Sequence, residues 1–190
     1  MGEEPFEAVV ASHHAEIYRY LRRATARPSE AEDLSQETFL RAYRAWRSLP
    51  PGANVRAWLF AIATNLARNH FRAESRRRRA HAAARDERPR TEAEGSPEEE
   101  TLFNEALTVV EGVVERLPPK QRLAFVLRKI HDLEYDAIGR SLDCSAESAR
   151  AHVFQALRKI RRSLDGHHLV DTESERSHRH EPEAVGLPRD

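Results

Sequence analysis

The stretch YDAIGRSLDCSAESARAHVFQALRKIRRSL, residues 135–164, decides the fold. Two amphipathic runs, YDAIGRSL and AESARAHVFQALRKIRRSL, flank the short segment DCS. So short a gap predicts two helices joined by a tight turn, a helix-turn-helix. In the second run Ala149, Val153, Leu157, Ile160 and Leu164 fall at spacings of four, four, three and four, one apolar stripe for a core. Ser145 is placed to cap that helix, and Glu147 in its first turn meets the positive end of the helix dipole.

The positions off the stripe must face elsewhere. They include Ser148, Arg150, Ala151, His152, Phe154, Gln155, Arg158, Lys159 and Arg162. Phe154 sits about 100° round the helix from Val153, at the edge of the core stripe. An arginine that can grip guanine, an apolar ring that can meet a thymine methyl and a small alanine between them suit a major groove. From Arg116 to Leu164 eleven bases stand against five acids, which supplies attraction to phosphates. The bland alternative is a structural helix pair with a solvated basic face.

Working outward, Ala, Leu, Arg and Glu dominate while glycine and β-branched residues are sparse, which predicts an all-α chain. A first helix is expected from about Pro5 to Ala24, with Phe6, Val9, Val10, Ile17 and Leu21 inward. Ser29 and Glu32 could form a capping box for a second helix. The run SLPPGANV ends it, and a third helix, VRAWLFAIATNLARNHFRAESRRRR, follows. There Leu59, Ile62, Ala63, Leu66 and His70 form the expected core side. Trp58, Asn65, Asn69, Arg72 and Arg76 share a different face, at spacings of seven, four, three and four. An aromatic, two amides and arginines in line suit a single strand, with stacking, base-edge hydrogen bonds and phosphate contacts. A core Trp58 and a merely solvated Asn65 are the alternative.

Eight arginines between Arg72 and Arg90, then six glutamates and no base between Thr91 and Glu105, mark a basic surface followed by an acidic connector. The expected organisation is two small helical domains, 1–79 and 101–165, a flexible linker at 80–100 and a disordered tail at 166–190. One cysteine, Cys144, excludes an intrachain disulfide framework. None of the histidine pairs has paired-ligand spacing on a helix, so no metal site or cofactor is expected. No catalytic constellation stands out, which argues against an enzyme. No apolar run is long enough to span a membrane, and the acidic start MGEEPFEAVV is no signal peptide, so a cytoplasmic protein is expected.

Three segments together carry a family likeness. AEDLSQETFLRAYRAW (31–46), RAWLFAIATNLARNHFR (56–72) and LPPKQRLAFVLRKIHDLEYDAIGRSL (117–142) closely resemble bacterial sigma factors of the extracytoplasmic-function type, in the family's order and spacing. The resemblance implies a dissociable subunit that binds core RNA polymerase, directs it to promoter DNA and is commonly held by an anti-sigma factor. It implies that Asp33, Gln36, Glu37 and Arg41 contact the polymerase, while Leu34, Phe39, Ala42, Tyr43 and Trp46 mostly hold the domain together. The loop RSLPPGANV and the third helix would read the melted minus-ten element, with a pocket for a flipped base and Asn65 at a base-contacting position. The helix-turn-helix would read the minus-35 duplex, with Arg150, Ala151, Phe154 and Gln155 on the contact face.

The chain departs from the family at three places. Asp143 stands where relatives usually have a turn glycine, and aspartate tolerates the left-handed backbone better than most residues. Glu134 replaces a Ser or Thr cap, and SARAH (148–152) replaces the usual recognition-helix run. Two other functions fit parts of the sequence. A stand-alone helix-turn-helix regulator would have no use for the Asp33–Arg41 face or for Trp58 and Asn65. A sigma-like interaction protein would not initiate transcription.

Overall fold

The structure, a computed structural model, describes residues 5–25, 27–84 and 110–177, with side chains for 5–25, 27–80 and 110–165. Every regular element among the described residues is helical. In chain order these are α1 (Phe6–Ala24), α2 (Pro28–Ala45), a 3-10 turn (Trp46–Ser48) and α3 (Val55–Ala84). Then come α4 (110–116), α5 (Pro119–Lys129), α6 (Tyr135–Leu142) and α7 (Ala146–Ser177). Residues 85–109, which hold most of the expected connector, lie outside the described residues.

The helix ends follow from local chemistry. Thr25 stops α1 by turning both its N–H and its hydroxyl onto the Leu21 carbonyl, each at 2.8 Å. The Ser29–Glu32 capping box does not form. Helix α2 instead starts at Pro28, whose fixed φ and missing N–H suit a first helical position, so Ser29 is already inside the helix. Pro50, Pro51 and Gly52 then reverse the chain, Gly52 at φ +77°. Asn54 caps α3, its Oδ1 accepting the Ala57 N–H at 2.9 Å.

Two helices outrun their expected ends. α3 continues through residues 80–84, because an alanine-rich run favours the helix it extends. α7 continues to Ser177, so residues 166–177 are helical rather than disordered; Gly166 costs only about 1 kcal/mol in a helix and no proline intervenes. The rest of the tail, 178–190, lies outside the described residues.

The first three helices enclose Val9, Ile17, Leu21, Phe39, Leu59 and Phe60, with Tyr20 donating or accepting at Thr64 Oγ1 over 2.8 Å. The last four enclose Leu123, Leu127, Ile138, Leu142, Val153 and Ile160. On α7 the buried line runs through Ala149, Val153, Ala156 and Ile160. Leu157, expected in the stripe, is 39% exposed, because Ala156 occupies the contact with the neighbouring helices.

The two halves touch. Helix α3 packs on α6, and α1 packs on α5. Arg56 joins Glu16 (2.5 Å) and donates to the His131 carbonyl (2.6 Å). Arg68 donates to the Ser141 carbonyl at 3.3 Å, and Arg122 donates to the Ala24 carbonyl at 2.9 Å. His131 is 5% exposed, with Tyr20 and Phe60 beside its ring. Its Nδ1 lies 3.3 Å from Glu16, while Nε2 is buried without a partner.

Burial therefore holds the imidazole below its ordinary pKa, with Glu16 opposing and Arg56 and Arg23 assisting. Hydrogen bonds from Arg56 hold the Glu16 carboxyl below its own ordinary value despite partial burial. A histidine whose pKa is depressed by folding stabilises fully above its unfolded value, near 6.5, and loses that contribution as pH falls through the folded value. Thermal unfolding between pH 7.5 and 5.5 is accordingly expected to weaken with acid in the wild type, and less steeply in His131→Asn. Equal slopes would contradict this placement of the charge.

Candidate protein and nucleic-acid interfaces

Helix α2 has two faces with different fates. Ala31, Ser35, Thr38, Phe39 and Ala42 are buried against the domain. Asp33, Gln36 and Arg41 are exposed, and Glu37 is partly so, bridging to Arg41 at 2.7 Å. Spacings of three and one along Asp33, Gln36, Glu37, Leu40 and Arg41 place them on one side. The structure adds two residues to it: Leu40 is 45% exposed and Tyr43 61%. Tyr43 was expected to hold the domain together; only its contact with Phe6, ring centres 5.4 Å apart, points inward. Acids repel phosphates, so a face mixing acids with apolar side chains suits a protein partner.

Beside this face lies a pocket of ≈ 210 Å³ lined by Trp46, Leu49, Pro50, Pro51, Gly52, Ala53 and Val55. Trp58 stands behind it, its ring centre 6.2 Å from that of Trp46. Trp58 is half-buried against the core rather than standing exposed in line with the amides. Asn65, Asn69, Arg72 and Arg76 are all exposed along α3, as their spacing predicted. Asn65 is oriented from beneath, its Oδ1 accepting from the buried Arg68 at 3.3 Å. Sequence reasoning passed over Arg68, since an arginine between Ala67 and Asn69 carries no sign of burial.

The turn between α6 and α7 is built by three residues. Asp143 takes the left-handed conformation (φ 54°, ψ 58°), as expected of its place in the turn. The Cys144 N–H closes on the Gly139 carbonyl at 3.0 Å. Gly139 has no room for a side chain, since an added Cβ would lie 2.7 Å from the Cys144 carbonyl oxygen. Ser145 caps α7 as predicted, its hydroxyl oxygen accepting the Ser148 N–H at 3.1 Å. Glu134 makes no side-chain cap on α6.

Of the nine off-stripe residues named from sequence, Ser148, Arg150, Ala151, Phe154, Gln155, Arg158, Lys159 and Arg162 are exposed on α7, Phe154 to 65%, and His152 is not. Gln121 of α5 donates to Gln155 Oε1 at 2.6 Å, which fixes that amide. The Arg150 guanidinium carbon lies 4.8 Å from the Tyr135 ring centre. His152 is partly buried, and burial with nearby Lys120 keeps its pKa low. The helix therefore offers a positively charged face with one protruding aromatic.

A mixed acidic-apolar face, a loop pocket beside an amide-and-arginine helix, and a basic helix-turn-helix suit a protein that meets both another protein and nucleic acid. The Sigma-70 region 2 family matches residues 9–77, and the Sigma-70, region 4 family matches residues 108–160. The chain is 31% identical to the ECF RNA polymerase sigma-E factor of Escherichia coli (strain K12) over 69% of its length and 72% of that protein. It is 28% identical to the RNA polymerase sigma-H factor of Pseudomonas aeruginosa, over 84% and 86% of the two chains. The fold is that of the sigma factor RpoE from Bartonella quintana, solved with the anti-sigma factor NepR. That likeness has TM-score 0.65 at 22% identity and covers 84% of this chain and 96% of that one. The chain belongs to the sigma-70 family of RNA polymerase sigma factors, in its extracytoplasmic-function (ECF) group.

Proposed function

We propose that this chain is a dissociable sigma factor whose three surfaces act in sequence. It has no catalytic activity of its own and works in the cytoplasm, a location compatible with the absence of a membrane-crossing helix among the described residues. The Asp33, Gln36, Glu37 and Arg41 face, with Leu40 and Tyr43, docks on core RNA polymerase. The Trp46-lined pocket receives an extruded base of the minus-ten element, Trp58 bracing its wall. Asn65, Asn69, Arg72 and Arg76 follow the melted strand. Unstacking a base costs a few kilocalories per mole, which a pocket and backbone contacts offset. Helix α7 reads the minus-35 duplex through Ser148, Arg150, Ala151, Phe154, Gln155 and Lys159.

The observation that carries this reading is the split of α2, one face buried and the other a largely exposed, mixed acidic-apolar surface. A stand-alone duplex-binding regulator would leave that face and the loop pocket without a task. An anti-sigma partner belongs to the same reading, supported by the RpoE–NepR complex, whose sigma factor shares the fold.

The test is run-off transcription by core polymerase, with and without this chain, on templates randomised across both promoter elements. Transcripts that require the chain and select a fixed pair of elements are expected. An unchanged transcript population would overturn the proposal and favour a sigma-like protein that does not initiate.

A further inference from the structure

Tyr135 opens α6, the first helix of the helix-turn-helix, and faces the second across the turn. The Arg150 guanidinium lies over its ring at 4.8 Å, and that of Arg128, at the end of α5, lies over it at 5.0 Å. Arg128 is itself fixed. It donates to the Leu133 carbonyl at 3.1 Å and reaches Asp132 at 3.3 Å and Glu134 at 3.5 Å. The phenol ring is therefore held from the α5 side while its π-face serves an arginine on the exposed side of α7. Among the described side chains no carboxylate lies within ion-pair distance of Arg150.

This arrangement has a specific chemical consequence. A guanidinium held over an aromatic face leaves its N–H donors in its own plane, free for the two acceptors of a guanine edge. An arginine pinned to an acid would have those donors occupied. One free in solvent would lose rotamer freedom on each encounter with DNA. Tyr135 avoids both.

We propose that Tyr135 is a positioning residue that presents Arg150 to a guanine in the minus-35 duplex and so sets specificity at one base pair. The proposal rests on the assignment of α7 to that duplex. Tyr135 reaches the base only through Arg150, and the aromatic face rather than the hydroxyl is the part required.

The experiment uses holoenzyme assembled from core polymerase and the full chain, transcribing a template library randomised over the minus-35 element. Arg150→Ala should erase a guanine preference at one position. Tyr135→Leu should weaken the same preference about tenfold and leave the other positions as in the wild type. Tyr135→Phe should retain it, and the Tyr135→Leu, Arg150→Ala pair should be no worse than Arg150→Ala alone. Should leucine prevent folding, Tyr135→Met carries the same comparison.

Three results would overturn the proposal, each in a distinguishable way. If Tyr135→Leu keeps the guanine preference, the ring is merely structural. If Tyr135→Phe loses activity evenly over all sequences, the hydroxyl is a phosphate contact. If Arg150→Ala alters no position, the assignment of α7 fails and the inference falls with it.

Discussion

Reversing two charges on α2, Asp33→Arg with Glu37→Arg, is expected to lower affinity for core RNA polymerase at least a hundredfold while the domain stays folded. Asp33 is exposed and Glu37 touches only Arg41 on its own helix, so neither supports the core. Removing one partner of a buried interfacial charge pair costs about 2–5 kcal/mol, and reversal adds repulsion. Each 1.4 kcal/mol corresponds to about tenfold in affinity. The variant also sets two new guanidinium groups near Arg41, which a partner matched to acids would resist. Binding by fluorescence anisotropy against purified core, with thermal unfolding as the folding control, measures this. Unchanged affinity would remove α2 from the docking surface.

The second large effect is structural. Gly139→Ala should destabilise the helix-turn-helix by about 2 kcal/mol net. The new methyl would meet backbone on three sides: the Cys144 carbonyl oxygen at 2.7 Å, the Ala146 nitrogen at 3.1 Å and the Ser145 carbonyl carbon at 3.1 Å. Backbone cannot swing aside as a side-chain tip can, so the turn must open or the Cys144–Gly139 hydrogen bond must break. Overpacking of this kind costs about 1–3 kcal/mol, here toward the upper end. Alanine's better helix propensity returns up to about 1 kcal/mol. A domain of this size should melt roughly 10 °C lower. The neighbouring Arg140→Ala, at an exposed position, is the control and should barely move the midpoint. Equal midpoints for the two variants would show that α6 and α7 do not meet as closely as the structure places them.

Much of this architecture is legible in the residues because local and global demands agree. The spacing of Ala149, Val153 and Ile160 marks the face of α7 that is buried. The short DCS segment demands a left-handed residue, and Asp143 supplies it. The acids and Arg41 on α2 sit opposite the buried Ala31, Ser35 and Ala42, so periodicity alone separates the exposed face from the core.

Periodicity fails where a helix is covered from two directions. Helix α3 faces α1 and α2 on one side and α6 on another. Phe60, Ala67 and Arg68 are therefore buried, although only Leu59, Ile62, Ala63, Leu66 and His70 were expected inward. Trp58 is half-buried and Tyr43 exposed, each against expectation, for a related reason. An aromatic at the edge of a stripe turns inward or outward according to its neighbours, and those come from distant sequence: Trp46 for one, Phe6 for the other. The Tyr135–Arg150 pair crosses a turn between two helices, and no one-helix pattern could signal it.

The contact between the two halves bears directly on promoter binding. Two elements whose names place them about 25 base pairs apart are separated by about 85 Å along the duplex, at 3.4 Å per base pair. Helices packed as α3 and α6 are lie only about 8–10 Å apart between axes. If the two halves read the two elements as proposed, they part when both are occupied, releasing Arg56 and Arg68 from the carbonyls of His131 and Ser141.

The most direct test of the central claim is a footprint of the holoenzyme on a promoter selected by this chain, read at single-nucleotide resolution. Protection of the minus-35 duplex together with an opened minus-ten element, both lost when the chain is omitted, is the predicted result. Protection confined to the minus-35 duplex, with no opening, would contradict it and leave a helix-turn-helix regulator that binds DNA without directing initiation.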